Sequence, residues 1–311
     1  MTVSERGKGA KKEIGSLLIL SMTVFIGIMI SGEAGEYVRD GMRLAVECVI
    51  PTALPFMIIA DLYVCYGHPD NIRLLKEGFR LLFGISAHGL APFICGNIGG
   101  FPIGAKMVAD SYSMGLLEKD EAERLTALCN NPSCAFVVGG VGLGIYHDIR
   151  IGFLLLASVY IATLICGLIT RRKPTKNHFS NVTIKQNYSF VSSVKNAGLS
   201  SIGIISFVSI FSGINGIIKK RIKYAPLLYL ISSLSEVTNA VKIFATSSSI
   251  PHSFALSLTA FSLGFGGICV ALQSSVFTSS VGIGMRKYFL IKLSEGILSA
   301  SVFSILFTAI K

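Results

Sequence analysis

Long apolar stretches constrain this chain more than any other feature, because several are long enough to cross a bilayer. A membrane-spanning helix needs about 20 apolar residues, and five stretches approach or reach that length: 14–31, 45–66, 151–170, 197–217 and 288–310. Charged residues make up only 14% of the chain, against about 25% in soluble proteins. The sequence therefore predicts an all-α polytopic membrane protein and excludes a soluble or disordered chain.

Basic residues outnumber acidic ones by 28 to 17, which gives a net charge of +11. Basic loops orient membrane proteins and contact anionic lipid headgroups, so we expect membrane lipid and no nucleic acid as a partner. The segment 171–195 has basic residues and no acidic ones, which predicts a cytoplasmic linker. Its end, 191–195, would lie along the membrane surface as an amphipathic helix.

The apolar stretches predict two halves joined by this linker. Residues 1–13 would form a cytoplasmic tail and 14–31 the first transmembrane helix. The segments 45–170 and 197–310 would form the two repeats, on either side of the linker 171–195. The protein would therefore be a multi-pass protein of the bacterial inner membrane.

An offset of 136 residues relates the two halves. It superposes Lys106 on Lys242 and the helix-breaking segment 130–133 on 266–269. An odd number of crossings between the halves would give them opposite orientations, which is the inverted-repeat plan of many secondary transporters. The basic loop 219–223 would then lie outside the cytoplasm. Either that loop is an exception to the charge rule, or the apolar stretch before it does not fully cross the membrane.

Glycine, proline and polar residues interrupt the apolar stretches in both halves, which predicts broken helices. The interruptions are 99–104, 130–133, 236–239 and 264–267. Irregular backbone at membrane depth is tolerated only when it is buried in protein or lines a watery cavity. We therefore expect re-entrant helical hairpins whose breaks meet at a substrate site near the bilayer midplane.

Residues at and near these interruptions form the predicted substrate site. A helix that begins near Pro102 would present free N–H groups, and Lys106 lies one turn further, so together they would favour a carboxylate. Glu236 with its neighbours would hold a cation, a proton or a ligand hydroxyl or amine. The full predicted set is Gly100, Pro102, Gly104, Lys106, Asn130, Asn131, Ser133, Glu236, Thr238, Asn239 and Gln273.

The same residues have structural interpretations. Gly96, Gly100 and Gly104 are spaced at four and would let helices pack closely. Ser235 or Thr238 would cap the helix that follows the second hairpin break. The asparagines at 130–131 would satisfy backbone groups that Pro132 frees.

Charged residues within the apolar stretches would pair with each other. Lys106 and Asp110 are four residues apart, and their pairing would withdraw the lysine from substrate binding. Lys292 and Glu295 would pair in the same way. Asp61 has no sequence neighbour of opposite charge and is a candidate for a proton relay.

Signatures of enzymes are missing from the sequence. It has no phosphate-binding GxxxxGK[ST] loop, no HExxH and no GxSxG, and its histidines and seven cysteines lack metal-ligand spacing. We therefore expect neither enzymatic activity nor a cofactor or metal site.

Several short motifs resemble those of the nucleoside-recognition, or Gate, domain membrane proteins, and most closely those of their sporulation branch. In chain order they are Pro-Phe-Met at 55–57, Gly-Gly-Phe-Pro-Ile-Gly-Ala-Lys at 99–106, Asn-Asn-Pro-Ser at 130–133 before Phe-Val-Val-Gly at 136–139, Glu-Val-Thr-Asn at 236–239 and Phe-Gly-Gly at 265–267 before Gln273. The resemblance runs from about residue 45 to the end of the sequence. It implies two inverted Gate-like repeats, related to concentrative nucleoside transporters. For the sporulation branch it implies movement of dipicolinic acid, a planar dianion, across the outer forespore membrane.

The leading functional hypothesis is transport of a small organic anion, with dipicolinate as the candidate. A nucleoside–cation symporter is the second hypothesis, which an acidic cation site at Glu236 would favour. The third is a non-transporting scaffold that docks a partner through 171–195. Expected partners are the anionic substrate, membrane lipid, and either further copies of the chain or other sporulation membrane proteins.

Overall fold

The computed structural model describes residues 34–66, 73–172 and 189–310, with isolated positions between 21 and 32. The predicted tail 1–13, nearly all of the predicted first transmembrane helix 14–31 and most of the linker 171–195 therefore lie outside the described residues. All regular structure in the described ranges is helical, which confirms the predicted all-α class.

The described chain forms thirteen α-helices and two π-helical segments. The helices are α1 (Ala34–Leu44), α2 (Ile50–Tyr66), α3 (Arg73–Phe83), α4 (Leu90–Gly99), α5 (Ile103–Ser113), α6 (Lys119–Leu128), α7 (Ile149–Ile169), α8 (Phe190–Arg221), α9 (Ala225–Ser235), α10 (Val237–Ala245), α11 (His252–Phe265), α12 (Gly267–Ser280) and α13 (Arg286–Ile310). The π-helical segment Ala45–Val49 joins α1 to α2, and Ala135–Ile145 precedes α7.

Four helical segments among the described residues are long and apolar enough to cross a membrane. They are Ile149–Ile169, Phe190–Arg221, His252–Ser280 and Arg286–Ile310. The third comprises α11 and α12, which meet at Gly266 in a left-handed conformation. Apolar side chains such as Ile169, Ile202 and Ile305 are mostly exposed on the outside of the bundle, as a lipid-facing surface requires.

Two helix boundaries differ from the sequence prediction. Residues 34–44, which belong to none of the predicted apolar stretches, form the helix α1, because its small and aromatic face packs on α8. A Cβ atom on Gly41 would lie 2.6 Å from the Cβ of Ser212. Residues 190–195 are the first turns of α8 and not a separate surface helix. Ser189 begins α8 with a capping box, in which Ser189 and Ser192 each accept the other's backbone N–H.

Helices α7 and α13 pack against each other in antiparallel fashion. Ser158 Oγ lies 3.4 Å from Ser299 Oγ, and Cys166 Sγ lies 4.0 Å from the carbonyl oxygen of Ile291. Residue numbers therefore rise along one helix as they fall along the other.

Candidate functional site

Four helix breaks meet around one small cavity. The breaks are 100–102 between α4 and α5, 129–134 after α6, Glu236 between α9 and α10, and Gly266 between α11 and α12. Residues at or just after each break line a cavity of about 40 Å³, which is room for a few water molecules at about 10–15 Å³ each. Its polar side chains are Ser133, Glu236, Thr238 and Gln273.

Glycines let the breaks approach each other at backbone distance. Gly100 has φ +87°, and a Cβ atom there would lie 2.7 Å from the backbone nitrogen of Ser133. Gly267 has φ +81°, and a Cβ atom there would lie 2.8 Å from the carbonyl oxygen of Ser235. Each hairpin break therefore packs on the break that follows it in the same half, and other residues would be strained at both glycines.

Two further glycines close the first hairpin on the segment after α6. A Cβ atom on Gly96 or on Gly104 would overlap the carbonyl oxygen of Cys129. The close-packing interpretation of the glycines at 96, 100 and 104 is therefore confirmed. Gly104 does not line the cavity.

Glu236 caps α10 with its own carboxylate. Oε1 accepts a hydrogen bond from the backbone N–H of Thr238 at 2.9 Å, and Oε2 accepts from the backbone N–H of Asn239 at 2.8 Å. The side-chain Nδ2 of Asn239 donates to the same Oε2 at 2.8 Å and to Ser212 Oγ at 3.1 Å. The capping residue is therefore Glu236, where the sequence suggested Ser235 or Thr238.

Lys106 lies beside carboxylates and outside the cavity lining. Its ammonium contacts Asp61 and lies 2.9 Å from Asp110 Oδ2. The expected pairing with Asp110 is confirmed, and Asp61 of α2 is a second partner. The predicted substrate site includes both Lys106 and Glu236, but only Glu236 lines the cavity.

Asn130 holds the break after α6 against the second half of the chain. Its Nδ2 donates to Ser274 Oγ at 2.8 Å and to Tyr288 OH at 2.9 Å. Ser274 lies on α12 and Tyr288 on α13, and all three side chains are buried. Asn130 therefore links the halves and does not line the cavity.

Asn131 belongs to a buried network with an ion pair. Its Oδ1 accepts a hydrogen bond from Lys292 Nζ at 2.7 Å, and its Nδ2 donates to Thr163 Oγ1 at 3.0 Å and to Asn97 Oδ1 at 2.8 Å. Lys292 Nζ lies 3.1 Å from Glu295 Oε2, so the expected pairing of these residues is confirmed. Both charged side chains are fully buried, and the break is thereby fixed to α7 and α13.

A second cavity of about 210 Å³ adjoins the first. The two cavities share Ile204 and Gln273 in their walls, and the second is otherwise almost wholly apolar. Of the predicted site residues, those in the first wall are Gly100, Ser133, Glu236, Thr238 and Gln273, while Pro102 lines the second. Neither wall contains Gly104, Lys106, Asn130, Asn131 or Asn239, and the described residues of both walls include no lysine, arginine or histidine.

The sequence prediction missed the contribution of α8 to these walls. Ile204 and Val208 line the first cavity, and Gly203 and Phe207 line the second. The spacing of these residues places them on one side of a helix, but the same spacing is typical of any buried helix face. No signal in the sequence distinguishes these residues from ordinary core positions.

One known protein is similar to this chain over nearly all of its length. It is the sporulation integral membrane protein YlbJ of Bacillus subtilis (strain 168), with 25% identity over an alignment of 336 positions. The alignment covers 93% of this chain and 82% of YlbJ. No model of a protein family and no solved structure matches the chain. The chain is a helical membrane protein that is similar to a sporulation integral membrane protein, as its motifs indicated.

Proposed function

We propose that this chain is a multi-pass transporter of a small organic acid, with dipicolinate as the first substrate to test. The observation that carries the proposal is the meeting of four helix breaks around one cavity. In a bilayer such breaks are tolerated only where they are buried or line a solvated space, and in secondary transporters they mark the substrate site. Similarity to a sporulation integral membrane protein supports a role in sporulation, and the outer forespore membrane, which the motif resemblance implies, is the proposed location.

The halves of the proposed transporter are inverted repeats. At the offset of 136 residues, α4 and α5 coincide with α9 and α10 to within a few residues, α6 coincides with α11, and α7 coincides with α13. The counterparts α7 and α13 pack against each other in antiparallel fashion. A two-fold axis perpendicular to both helix axes exchanges two antiparallel helices. If both helices cross the bilayer, this two-fold axis lies in the membrane plane, as in inverted repeats.

The charge of the cavity limits the form in which an acid is carried. Among the residues that the structure describes, the walls contain the carboxylate of Glu236 and no cationic side chain. A dianion at this place would meet repulsion that no resident charge offsets. The acid therefore travels protonated or together with a cation. The first cavity is also too small for an aromatic diacid, so the shared wall of Ile204 and Gln273 moves aside during passage.

A nucleoside–cation symporter is the second candidate. The side chains of Ser133, Glu236, Thr238 and Gln273 supply hydrogen-bond acceptors and neutral donors. Such groups suit the hydroxyl and amide groups of a nucleoside. The lack of cationic side chains among the described residues of the walls favours this candidate over a fully ionised acid.

Counterflow in proteoliposomes tests the proposal. The full chain is reconstituted, the vesicles are loaded with unlabelled dipicolinate or uridine, and entry of the labelled solute is followed. We expect dipicolinate to exchange, and Thr238→Val to reduce the rate about tenfold, which corresponds to one lost hydrogen bond of about 1.4 kcal/mol. Thr246→Val is the matched control, since Thr246 ends the same helix α10 and is exposed.

Other outcomes would point elsewhere. Exchange of uridine without dipicolinate would replace the organic acid by a nucleoside. If neither solute exchanges in a folded preparation, transport of both is contradicted. A scaffold that docks a partner through 171–195 would then be favoured, and a pull-down with that segment would identify the partner.

A further inference from the structure

We propose that Lys106, Asp61 and Asp110 form a proton-loading site that couples transport to a proton gradient. This inference rests on the proposed transport function and names its coupling ion. We call the three residues the charged triad.

The charged triad joins two helices, and two of its three side chains are buried. Lys106 and Asp110 lie on α5, and Asp61 lies on α2. The Lys106 ammonium contacts Asp61 and lies 2.9 Å from Asp110 Oδ2. Asn196 of α8 adds a neutral donor, 3.4 Å from Asp61 Oδ2. Only 2% of the Asp61 side chain and 9% of the Lys106 side chain are exposed.

The triad contains one more negative charge than positive charges. Two carboxylates share one ammonium, and Lys106 and Asp61 are the charges that act on Asp110. Among the described residues, α8 contributes the neutral Asn196, and no second lysine or arginine is within ion-pair distance of either carboxylate.

The surroundings of the triad are apolar. The buried residues Met57, Ala60, Ile103 and Met107 belong to the same core cluster of α2, α5 and α8. An uncompensated charge is costly in such a place. One proton on one carboxylate makes the triad neutral.

A proton has a path to the triad from one side. A third of the Asp110 side chain is exposed, whereas Asp61 is enclosed. Loading adds a proton from water to a carboxylate oxygen of Asp110 and forms one O–H bond, while Lys106 stays an ammonium paired with Asp61. Release returns the proton to water, and no other bond forms or breaks.

The triad is close enough to the cavity to influence it. Lys106 lies four residues, or about one turn, after the end of the break 100–102, and Gly100 in that break lines the cavity. Asp61 lies eight residues along α2 from Ala53, another lining residue, or about 12 Å at 1.5 Å per residue. Protonation of Asp110 ends its competition for Lys106, which lies on the same helix, so the ion pair of Lys106 with Asp61 holds α5 more firmly to α2. Helix α5 carries the first hairpin break. Loading a proton therefore changes how firmly that break is held.

Two assays on the same proteoliposomes separate coupling from passage. Counterflow of dipicolinate without a gradient measures passage alone. Accumulation driven by an imposed pH gradient, with a trapped pH-sensitive dye, measures coupling. We expect wild-type vesicles to accumulate dipicolinate and to move protons only when the substrate is added. In Asp110→Asn vesicles, counterflow should persist while accumulation and substrate-dependent proton movement are lost.

Matched variants complete the test. Asp110→Glu keeps a titratable group and should keep coupling. Asp120→Asn is the control, because Asp120 is a half-exposed carboxylate paired with Lys287 outside the triad. Wild-type accumulation that follows a sodium gradient and moves no protons would overturn the inference. The inference would also be overturned if Asp110→Asn vesicles accumulated dipicolinate fully, or if they lost counterflow of dipicolinate. Absence of wild-type counterflow would instead contradict the proposed function itself.

Discussion

Replacing Lys292 by methionine should destabilise the protein strongly, because it leaves a buried carboxylate without its cation. Lys292 and Glu295 are both fully buried, with Nζ and Oε2 3.1 Å apart. The substitution also removes the donor to Asn131 Oδ1, at 2.7 Å. Breaking a buried ion pair from one side costs about 3–5 kcal/mol, and we expect a loss of that size in the free energy of unfolding.

A second lysine on the same helix provides the control. Lys287 pairs with Asp120 and Glu123, but 38% of its side chain is exposed. Surface pairs contribute about 0.2–1 kcal/mol, so Lys287→Met should cost little. The double substitution Lys292→Met with Glu295→Gln should recover most of the loss, because the uncompensated charge is gone.

The free cysteines make unfolding measurable in detergent. The chain has no tryptophan, so intrinsic tryptophan fluorescence is absent. Cys129, Cys166 and Cys269 are free and buried, and a thiol-reactive dye will label them as the protein unfolds. If Lys292→Met and Lys287→Met give equal stabilities in an SDS titration, the pair contributes nothing beyond a surface contact and our reasoning is refuted.

Two further predictions concern packing and pH. Gly104→Ala should abolish stable protein, because the added Cβ would overlap the carbonyl oxygen of Cys129. Gly198→Ala is the control and should be tolerated, because a Cβ atom there meets open space. The yield of monodisperse protein measures both effects. The hydrogen bond from Lys287 lowers the pKa of Asp120, so Asp120 stabilises the fold above its unfolded pKa of about 3.9. This contribution to stability is lost as pH falls through the lower pKa that Asp120 has in the folded protein. Asp120→Asn should therefore reduce the loss of stability in acid, and an unchanged pH profile would contradict this.

The class of fold and the positions of the helix breaks could be predicted from the sequence. Apolar length sets the span of a helix, and glycine, proline and asparagine mark the points where its hydrogen bonding stops. Helix α1 was not predicted, because it contains many charged residues and its packing face on α8 is a small residue, Gly41, which gives no apolar pattern. That contact depends on a partner about 170 residues away, which local patterns do not report.

The sequence marks the helix breaks but not the partner of each residue there. Residues at or just after each of the four breaks line one cavity. The asparagines, however, bind groups far along the chain: Asn130 reaches Ser274, and Asn131 reaches Lys292. Hydrogen-bond capacity follows from residue type, whereas the choice between substrate and protein as partner follows from tertiary packing.

Two buried lysines differ in the balance of charge around them, and this difference separates the ion pair of Lys292 from the proposed proton-loading site at Lys106. Lys292 meets one carboxylate and an amide oxygen, and it and Glu295 balance each other with no exposed surface. Lys106 meets two carboxylates, one of which reaches the surface. The balanced pair has no charge for a proton to neutralise, while the charged triad has one. Raising the charge count at the first site, for example with Asn131→Asp, should create a second titrating cluster there. The test is substrate-dependent proton movement in a chain that carries both Asn131→Asp and Asp110→Asn. Proton movement in this double variant would show that an excess carboxylate is sufficient for coupling. Its absence would show that the position beside the first hairpin is also required.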